Sequence, residues 1–469
     1  MPTRLTIIGS GPGGYVAAIR AAQLGAQVTV IEEGQVGGTC LNLGCIPTKS
    51  LIASSEALQH VRNSAEFGIE LSGEVRYNLN KIRERKDKIV DTQAKGIRAL
   101  FKNRGITLVP GKGSFLSENV VRSVQKDGTA QEIRSDRIIV ATGSRPARIA
   151  GFPFDGDTVM TSDDAVQLKS IPKHILIIGA GVIGCEFAFI YRSLGSAVTL
   201  VDLLPRALSI EDEDVSAIIE RELKKAKITL ITLSSVVKIE KTTDNVVTST
   251  LSNGQAVNAD AVLVSIGRSL NTEQLRLDNA GLAAGKRGEI AVNDKMETTV
   301  PGIFAVGDVT GKMMLAHVAS HQGLVAAENA LGGDVRMDYM SVPAGIFTSP
   351  EIGSVGLREH QAREQGIPVK VGKFPYRALG KAHAAGEIIG IFKIIADAAT
   401  DRVLGVHICG ARASDLIHEG ALAIRTGVTA RQIGDMVHAH PTFAEGMGEA
   451  AEDVHDRAIH LPGERKERR

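Results

Sequence analysis

An eight-residue phrase occurs twice in this chain, 170 positions apart: Ile7-Ile8-Gly9-Ser10-Gly11-Pro12-Gly13-Gly14 is matched by Ile177-Ile178-Gly179-Ala180-Gly181-Val182-Ile183-Gly184. Each copy is an apolar run, predicted as a strand, that breaks into glycines spaced G-x-G-x-x-G and then into a helical stretch. The register persists. Leu24-Gly25 maps to Leu194-Gly195, and a second apolar strand ends on an acid in both copies, Glu32 and Asp202, 23 residues after the first glycine. The glycines let the backbone turn tightly and approach a pyrophosphate, the helix start offers unpaired N–H groups, and the acid accepts from a ribose hydroxyl. One such turn can be purely architectural. Two in the same register imply two adenine dinucleotides, most economically a tightly held flavin (FAD) and an exchangeable nicotinamide (NAD), and hence a chain that moves electrons. Gly9, Gly11, Gly14 and Glu32 are the candidate contacts for the first dinucleotide. Gly179, Gly181, Val182, Ile183, Gly184 and Asp202 are those for the second.

Both halves also close alike. The apolar residues 137–140 run into Ala141-Thr142-Gly143, and residues 261–265 run into Ile266-Gly267-Arg268; a strand ending in a small-residue turn lets the backbone come close to a ligand. Further on, Gly302-Ile303-Phe304-Ala305-Val306-Gly307-Asp308 joins another apolar strand to a Gly-Asp turn. Asp308 either accepts from a sugar-like hydroxyl or caps the segment after it.

The length of 469 residues predicts three or four domains. A net charge of +1 gives no long-range field toward nucleic acid or a membrane surface. The charge run at 464–469 is either a solvated tail or a dock for an acidic partner. No stretch reaches the ~18 apolar residues of a membrane span. An apolar strand at residues 5–8, so near the start, predicts neither a signal nor a transit sequence, which favours a cytoplasmic protein or one processed into an organelle matrix. Four cysteines are too few for a secreted disulfide framework.

Two of those cysteines lie close together, in Gly37-Gly38-Thr39-Cys40-Leu41-Asn42-Leu43-Gly44-Cys45-Ile46-Pro47-Thr48-Lys49. On a continuous α-helix, residues five apart have Cα atoms roughly 8–9 Å apart, beyond the ~7 Å a disulfide tolerates. A disulfide here demands a distorted turn, for which Gly44 and Pro47 are suited, and strain with exposure would make it labile. The alternative, two buried thiols, sits poorly with Gly-Gly-Thr-Cys as core material. Cys185 and Cys409 lie in apolar stretches and read as inert core residues. No second cysteine pair or nearby histidine completes a metal-ligand set. Lys49, about one helical turn after Cys45, either stabilises a thiolate or points to solvent.

Taken together, Gly37 to Lys49, the paired fingerprints, Thr142-Gly143-Ser144, Gly267-Arg268, Phe304 to Asp308, Met314-Leu315-Ala316-His317, Phe347-Thr348-Ser349-Pro350-Glu351 and His438-Ala439-His440-Pro441-Thr442 resemble the pyridine nucleotide–disulfide oxidoreductases, and among them the members that oxidise dihydrolipoamide. The likeness covers nearly the whole chain. It implies that Cys40 exchanges with a dithiol substrate while Cys45, its disulfide partner, contacts the flavin. Lys49 resembles the family lysine that sits by the flavin and pairs with an acid of the nicotinamide fingerprint, here Glu186, which otherwise would be an unexplained acid on an apolar helix. Cofactor contacts are implied at Gly38, Thr39, Lys49, Gly113, Thr142, Gly143, Ser144, Asp308, Met314, Leu315, Ala316 and His317 for FAD, and at Glu186, Val236 and Gly267 beside the second fingerprint.

His440 and Glu445 resemble the family's acid–base dyad. Alone, His440 reads as a loop histidine, and His438 competes for the role; His440 is preferred because the family's histidine directly precedes Pro-Thr. Its ordinary pKa of ~6.5 suits thiol deprotonation near neutrality, and Glu445 would orient the ring as the third member of a triad does. The resemblance further implies an obligate homodimer in which this dyad serves the other subunit's disulfide. Asp202 favours NAD over NADP, because it would repel a 2′-phosphate. One departure is Ser320-His321-Gln322, a stretch that is often acidic in dihydrolipoamide-oxidising relatives.

The expected architecture is α/β: two Rossmann-like dinucleotide-binding domains plus a C-terminal α+β dimerisation domain. The boundaries are an FAD domain over 1–150, an NAD domain over 151–272, a central segment over 273–345 completing the FAD site, and a dimerisation domain over 346–469. The expected reaction is oxidation of dihydrolipoamide carried on another protein, a lipoyl-bearing component of a 2-oxo acid dehydrogenase or glycine cleavage complex. The rivals are a reductase of another disulfide or of mercuric ion, and a flavin-binding redox sensor. Neither nucleic acid nor a membrane is expected as a partner.

Overall fold

A computed structural model describes residues 1–242 and 246–462. The charge run at 464–469 lies outside the described residues. The chain divides into two compact units, one formed by Met1–Ser170 with Ile266–Asp338, the other by Ile171–Ser265 with Tyr339–Arg469.

In the first unit a parallel sheet runs Ile303–Ala305, Arg137–Val140, Arg4–Ile8, Gln27–Glu32, Thr107–Pro110. Its central strands read as near-continuous apolar runs because both faces are covered, and Ile7, Val30 and Ile139 are fully buried. Helices Pro12–Gln23 and Ala316–Ala330 pack together on the sheet. Their close approach rests on glycine: a Cβ on Gly323 would stand 2.4 Å from the Gly13 carbonyl oxygen. An antiparallel ribbon of Lys112–Ser117, Val120–Val124 and Ala130–Arg134 buries Phe115 and Val121 in the same core.

The second unit repeats the pattern and then adds to it. Strands Ile228–Ile231, Ala197–Val201, His174–Ile178 and Ala261–Val264 lie side by side in parallel. The sequence repeat is a structural repeat: Arg4 pairs with Gln27 and His174 with Ala197, while helices Pro12–Gln23 and Val182–Ser193 each span 12 residues. Helix Glu213–Lys225 follows, with Asp212 as its N-cap, Glu213 and Asp214 in its first turn and Lys224 and Lys225 in its last, all matched to the helix dipole.

Beyond it stands an antiparallel sheet, ordered Ala344–Ile346, Ile352–Gly356, Val403–Cys409, Ile391–Asp397, Val369–Pro375. Helices Ala413–Thr426 and Glu445–Asp453 pack against this sheet around Phe374, Tyr376 and Phe392, the last two stacked at 4.6 Å. The expected class therefore holds: two parallel α/β folds of Rossmann type and a C-terminal α+β fold. Among the described residues no helix is long and apolar enough to cross a membrane.

Candidate active site

The two fingerprint turns are built alike to the level of single hydrogen bonds. Glu32 ends its strand with one carboxylate oxygen accepting from the Ser10 N–H at 2.8 Å and the other from the Gly34 N–H at 2.8 Å. Asp202 accepts from the Ala180 N–H at 2.5 Å and the Leu204 N–H at 2.7 Å. Each acid is thus held at the mouth of its glycine turn. Ser10 adds its hydroxyl to Glu32 at 2.7 Å, a contact the glycine pattern did not flag.

Gly9 and Gly179 adopt φ of +101° and +103°. A Cβ on Gly14 or Gly184 would lie 2.0 or 1.8 Å from the carbonyl oxygen of Gly9 or Gly179. Gly11 and Gly181 are the N-caps of their helices and make no side-chain cap, so the first-turn N–H groups remain available to an anion. Val182 and Ile183 open the second helix. Both turns fit a dinucleotide pyrophosphate, with an acid placed for the adjoining ribose.

The cysteine segment is fastened to the first turn. The Gly37 N–H donates to the Ser10 carbonyl at 3.0 Å, and a Cβ on Gly38 would stand 2.6 Å from Gly11 Cα. Thr39 and Cys40 lie in the short helix Gly38–Asn42; after Leu43 and Gly44 the chain restarts as helix Cys45–Arg62, which carries Lys49. The helix is broken between the two cysteines, as their spacing demands if the sulfurs are to meet. They do meet. The Cys40 thiol hydrogen bonds to Cys45, and this bond, then burial, then negative charge at Cys45, push the Cys40 thiol up; the Cys45 backbone and the Lys49 ammonium act in the opposite sense. Cys185 and Cys409 are fully buried and their thiols are pushed up mainly by burial, in keeping with inert core residues.

In the first unit lie the other residues expected at the flavin, together with Gly267, which is expected at the nicotinamide. Gly113 abuts the strand Arg4–Ile8, where a Cβ would meet Ile8 Cγ2 at 2.7 Å. Thr142 Oγ1 donates to the Asn271 carbonyl and Asn271 Nδ2 donates back to the Thr142 carbonyl, at 2.8 and 2.9 Å. Gly143 has φ +66°, and Gly267, with φ +119°, accepts from the Ala147 N–H at 3.0 Å. Ser144 donates its hydroxyl to Asp308, and Arg268 donates to Ser144 Oγ at 2.6 Å while standing 3.6 Å from the Asp308 carboxylate. Asp308 is therefore tied to a side-chain network beside a strand end. Met314 and the N-cap Leu315 lead into helix Ala316–Ala330, so Ala316 and His317 occupy its first turn. Gln322, in the departing stretch, is buried and its side-chain oxygen accepts from the Gly307 N–H at 2.6 Å. The sequence did not reveal that role.

In the second unit, Glu186 is buried and accepts from the Phe347 N–H at 3.0 Å. This bond joins the second fingerprint helix to the Phe347-Thr348-Ser349-Pro350-Glu351 motif. Val236 is buried at the start of strand Val236–Lys241. His440 and Glu445 form a dyad: His440 Nδ1 lies 2.8 Å from Glu445 Oε1, and Glu445 Oε2 accepts from the Thr442 N–H at 2.8 Å. Burial works against the Glu445 carboxylate, but these two hydrogen bonds prevail and hold it below the usual range.

The histidines separate clearly. The His438 side chain is 8% exposed, with Nε2 3.1 Å from Glu419 and Nδ1 3.1 Å from the Met436 carbonyl, whereas that of His440 is 75% exposed. His440 is thus the one whose ring is exposed, although both histidines line a cleft of about 720 Å³ whose walls also include Phe374, Leu379 and Glu445.

These features define a flavin- and pyridine-nucleotide-linked thiol–disulfide enzyme. The chain belongs to the pyridine nucleotide-disulphide oxidoreductase family, matching it over residues 3–323 and its dimerisation domain over residues 342–451. Among its relatives, a dihydrolipoyl dehydrogenase of Chlamydia muridarum is 44% identical, with 98% of each chain covered. One of Bacillus subtilis is 41% identical over 97% of this chain and 99% of the relative. LpdA of Mycobacterium tuberculosis, a solved structure, superposes with a TM-score of 0.91 at 29% identity, covering 96% of this chain and 99% of the other. The Escherichia coli HOCl-induced flavoprotein disulfide reductase RclA gives 0.85 at 27% identity, covering 96% and 99%.

Proposed function

We propose that this chain catalyses oxidation of protein-bound dihydrolipoamide to lipoamide with reduction of NAD to NADH. The observation that carries it is the Cys40–Cys45 pair, sulfur against sulfur, fastened to one of two dinucleotide turns. The dihydrolipoyl dehydrogenases similar to nearly its full length support the choice of dithiol.

Gly9, Gly11, Gly14, Glu32, Gly38, Thr39, Lys49, Gly113, Thr142, Gly143, Ser144, Asp308, Met314, Leu315, Ala316 and His317 would hold FAD. Gly179, Gly181, Val182, Ile183, Gly184, Glu186, Asp202, Val236 and Gly267 would line the NAD site. When bound, the flavin supplies an acceptor for the electron pair on Cys45 and a donor to the nicotinamide. In the oxidised pair, one substrate sulfur attacks Cys40 Sγ; the bond to Cys45 breaks and Cys45 leaves as thiolate beside Lys49. The second substrate sulfur then attacks the first, the bond to Cys40 breaks, and the cyclic disulfide leaves. His440, oriented by Glu445, accepts the two thiol protons; one is released to solvent and the other balances the proton that leaves with the electron pair in NADH.

The same reading divides the chain into an FAD domain over 1–150, an NAD domain over 151–272, a central segment over 273–345 and a dimerisation domain over 346–469. It makes the enzyme a homodimer in which the dyad serves the partner's cysteines. It also gives the enzyme a cytoplasmic setting and a lipoyl-bearing protein of a 2-oxo acid dehydrogenase or glycine cleavage complex as its partner.

The test is anaerobic. Dihydrolipoamide is added to the holoenzyme, bleaching of the visible flavin band is followed, and NAD is then supplied. Bleaching followed by NADH formation, both lost in Cys45→Ser, is the expected result. A flavin that dihydrolipoamide leaves oxidised but NADH reduces would refute the dithiol assignment and favour reduction of another disulfide, the reading that the likeness to RclA supports.

A further inference from the structure

One ammonium in the second unit is fully buried and faces three carboxylates. Lys393, in the middle of strand Ile391–Asp397, is 1% exposed; its Nζ lies 2.7 Å from Asp212, 2.6 Å from Asp214 and 2.6 Å from Glu359. Asp212 is itself fully buried, and its second oxygen accepts from the Glu359 N–H at 3.2 Å. Beside it, Glu211 is 1% exposed and meets Arg358 at 3.4 Å. Such a cluster is a poor source of stability, since desolvating several charges offsets their attraction, and apolar residues of the same volume would serve a core as well or better. What it does confer is register: Asp212 cannot shift without leaving a buried charge unpaired.

That register is passed to the second glycine turn. Asp212 ends the irregular segment 203–212 that begins immediately after Asp202. Along this segment Arg206 donates to the carbonyls of Ser209 and Glu211, and the Glu211 N–H donates to the Leu208 carbonyl. Leu208, buried and held at φ +50°, donates its N–H at 2.9 Å to the carbonyl of Ala180. The Ala180 N–H binds Asp202, and Asp202 accepts from Leu204. A continuous chain of short contacts thus runs from Lys393, outside the dinucleotide fold, to the turn and the acid at its mouth.

We propose that Lys393 is a positioning residue for the NAD site. By anchoring Asp212, it fixes segment 203–212 and through it the Ala180–Asp202 contact that presents the acid to the nucleotide ribose. The inference rests on the proposed function only for the identity of that nucleotide.

The test compares wild type with Lys393→Met as holoenzymes. Three quantities are measured: NAD affinity of the oxidised protein by calorimetry, hydrogen exchange of the 203–212 amides, and bleaching of the flavin by dihydrolipoamide. The expected result is a loss of NAD affinity of about tenfold, typical of coupling through a packed network, with faster exchange across 203–212 and unaltered bleaching. An affinity within about twofold of wild type while exchange rises would overturn the proposal, since the cluster would then be structural alone. Unchanged exchange, or equal damage to bleaching, would overturn it too.

If Lys393→Met does not yield folded protein, Asp214→Asn and Glu359→Gln, each removing one partly exposed partner, are put through the same calorimetry. Weakened NAD binding supports the proposal and unchanged binding refutes it. Failure of wild type to bleach with dihydrolipoamide would count against the dithiol reading and leave the affinity comparison standing.

Discussion

Because the chain carries the same turn twice, one substitution can be made in both copies and the consequences compared. Gly184→Ala would place a Cβ 1.8 Å from the Gly179 oxygen, and Gly14→Ala one 2.0 Å from the Gly9 oxygen. Ordinary carbon–oxygen contact is about 3.3 Å or more, so the start of each helix must retreat from its turn by about 1.5 Å. Overpacking of this kind costs about 1–3 kcal/mol in stability, which a chain of this size can absorb. The functional effect is larger, because the first-turn N–H groups move away from the place where a pyrophosphate would sit. A hydrogen bond to a charged group is worth about 1.5–3 kcal/mol, so losing one lowers affinity roughly tenfold to a hundredfold.

The two copies should then fail separately. Gly184→Ala keeps its flavin through gel filtration and is still bleached by dihydrolipoamide, but the oxidised protein titrates with NAD at a much weaker Kd. Gly14→Ala is recovered largely as apoprotein, or sheds flavin on dilution. If Gly184→Ala binds NAD as wild type does, or if either variant loses both ligands together, then the turns are architectural and the assignment of one dinucleotide to each copy is wrong.

Glu445→Gln removes the carboxylate that holds His440 Nδ1 and Thr442 N–H; the dithiol-dependent rate should fall by about 10²–10⁴, the usual span for a positioned acid–base group, while NADH binding is unchanged. Stopped-flow bleaching by dihydrolipoamide decides it, and a fall of less than about fivefold would remove the dyad from the mechanism. His407 is fully buried: Nε2 donates to the Leu357 carbonyl at 2.9 Å, Nδ1 has no partner among the described residues, and burial above all pushes the imidazole down to about 4. Its folded pKa lies below the unfolded value of ~6.5, so the unfolded chain takes up the proton first; stability present above pH ~6.5 is lost as pH falls toward 4, by at most about 3 kcal/mol. The thermal midpoint of wild type should drop toward that of His407→Gln over this window, and a constant gap between them would refute the assignment of a neutral buried ring.

What could be read from the sequence is what lies within one contiguous window. The glycine turns, the terminal acids and the cysteine segment each span a few dozen residues, and their chemistry follows from residue type and spacing alone. Even the break between Cys40 and Cys45 could be anticipated, because helix geometry forbids the sulfurs from meeting otherwise.

The unread part is made of partners that meet only after folding. Lys393 reaches Asp212 across 181 positions and Glu359 reaches Asp212 across 147. In the sequence Lys393 is merely a polar residue interrupting an apolar strand, and Asp212 one acid in an acidic run. Gln322 and Asn271 are equally silent, since an amide that satisfies a distant backbone group has no local signature. His438 and His440 show the same limit from the other side. Two positions apart, they look alike in sequence, yet Glu419 draws one into the packing while the other stays exposed at the cleft. A burial difference set by a carboxylate 19 positions from His438 is a tertiary fact that no local pattern announces.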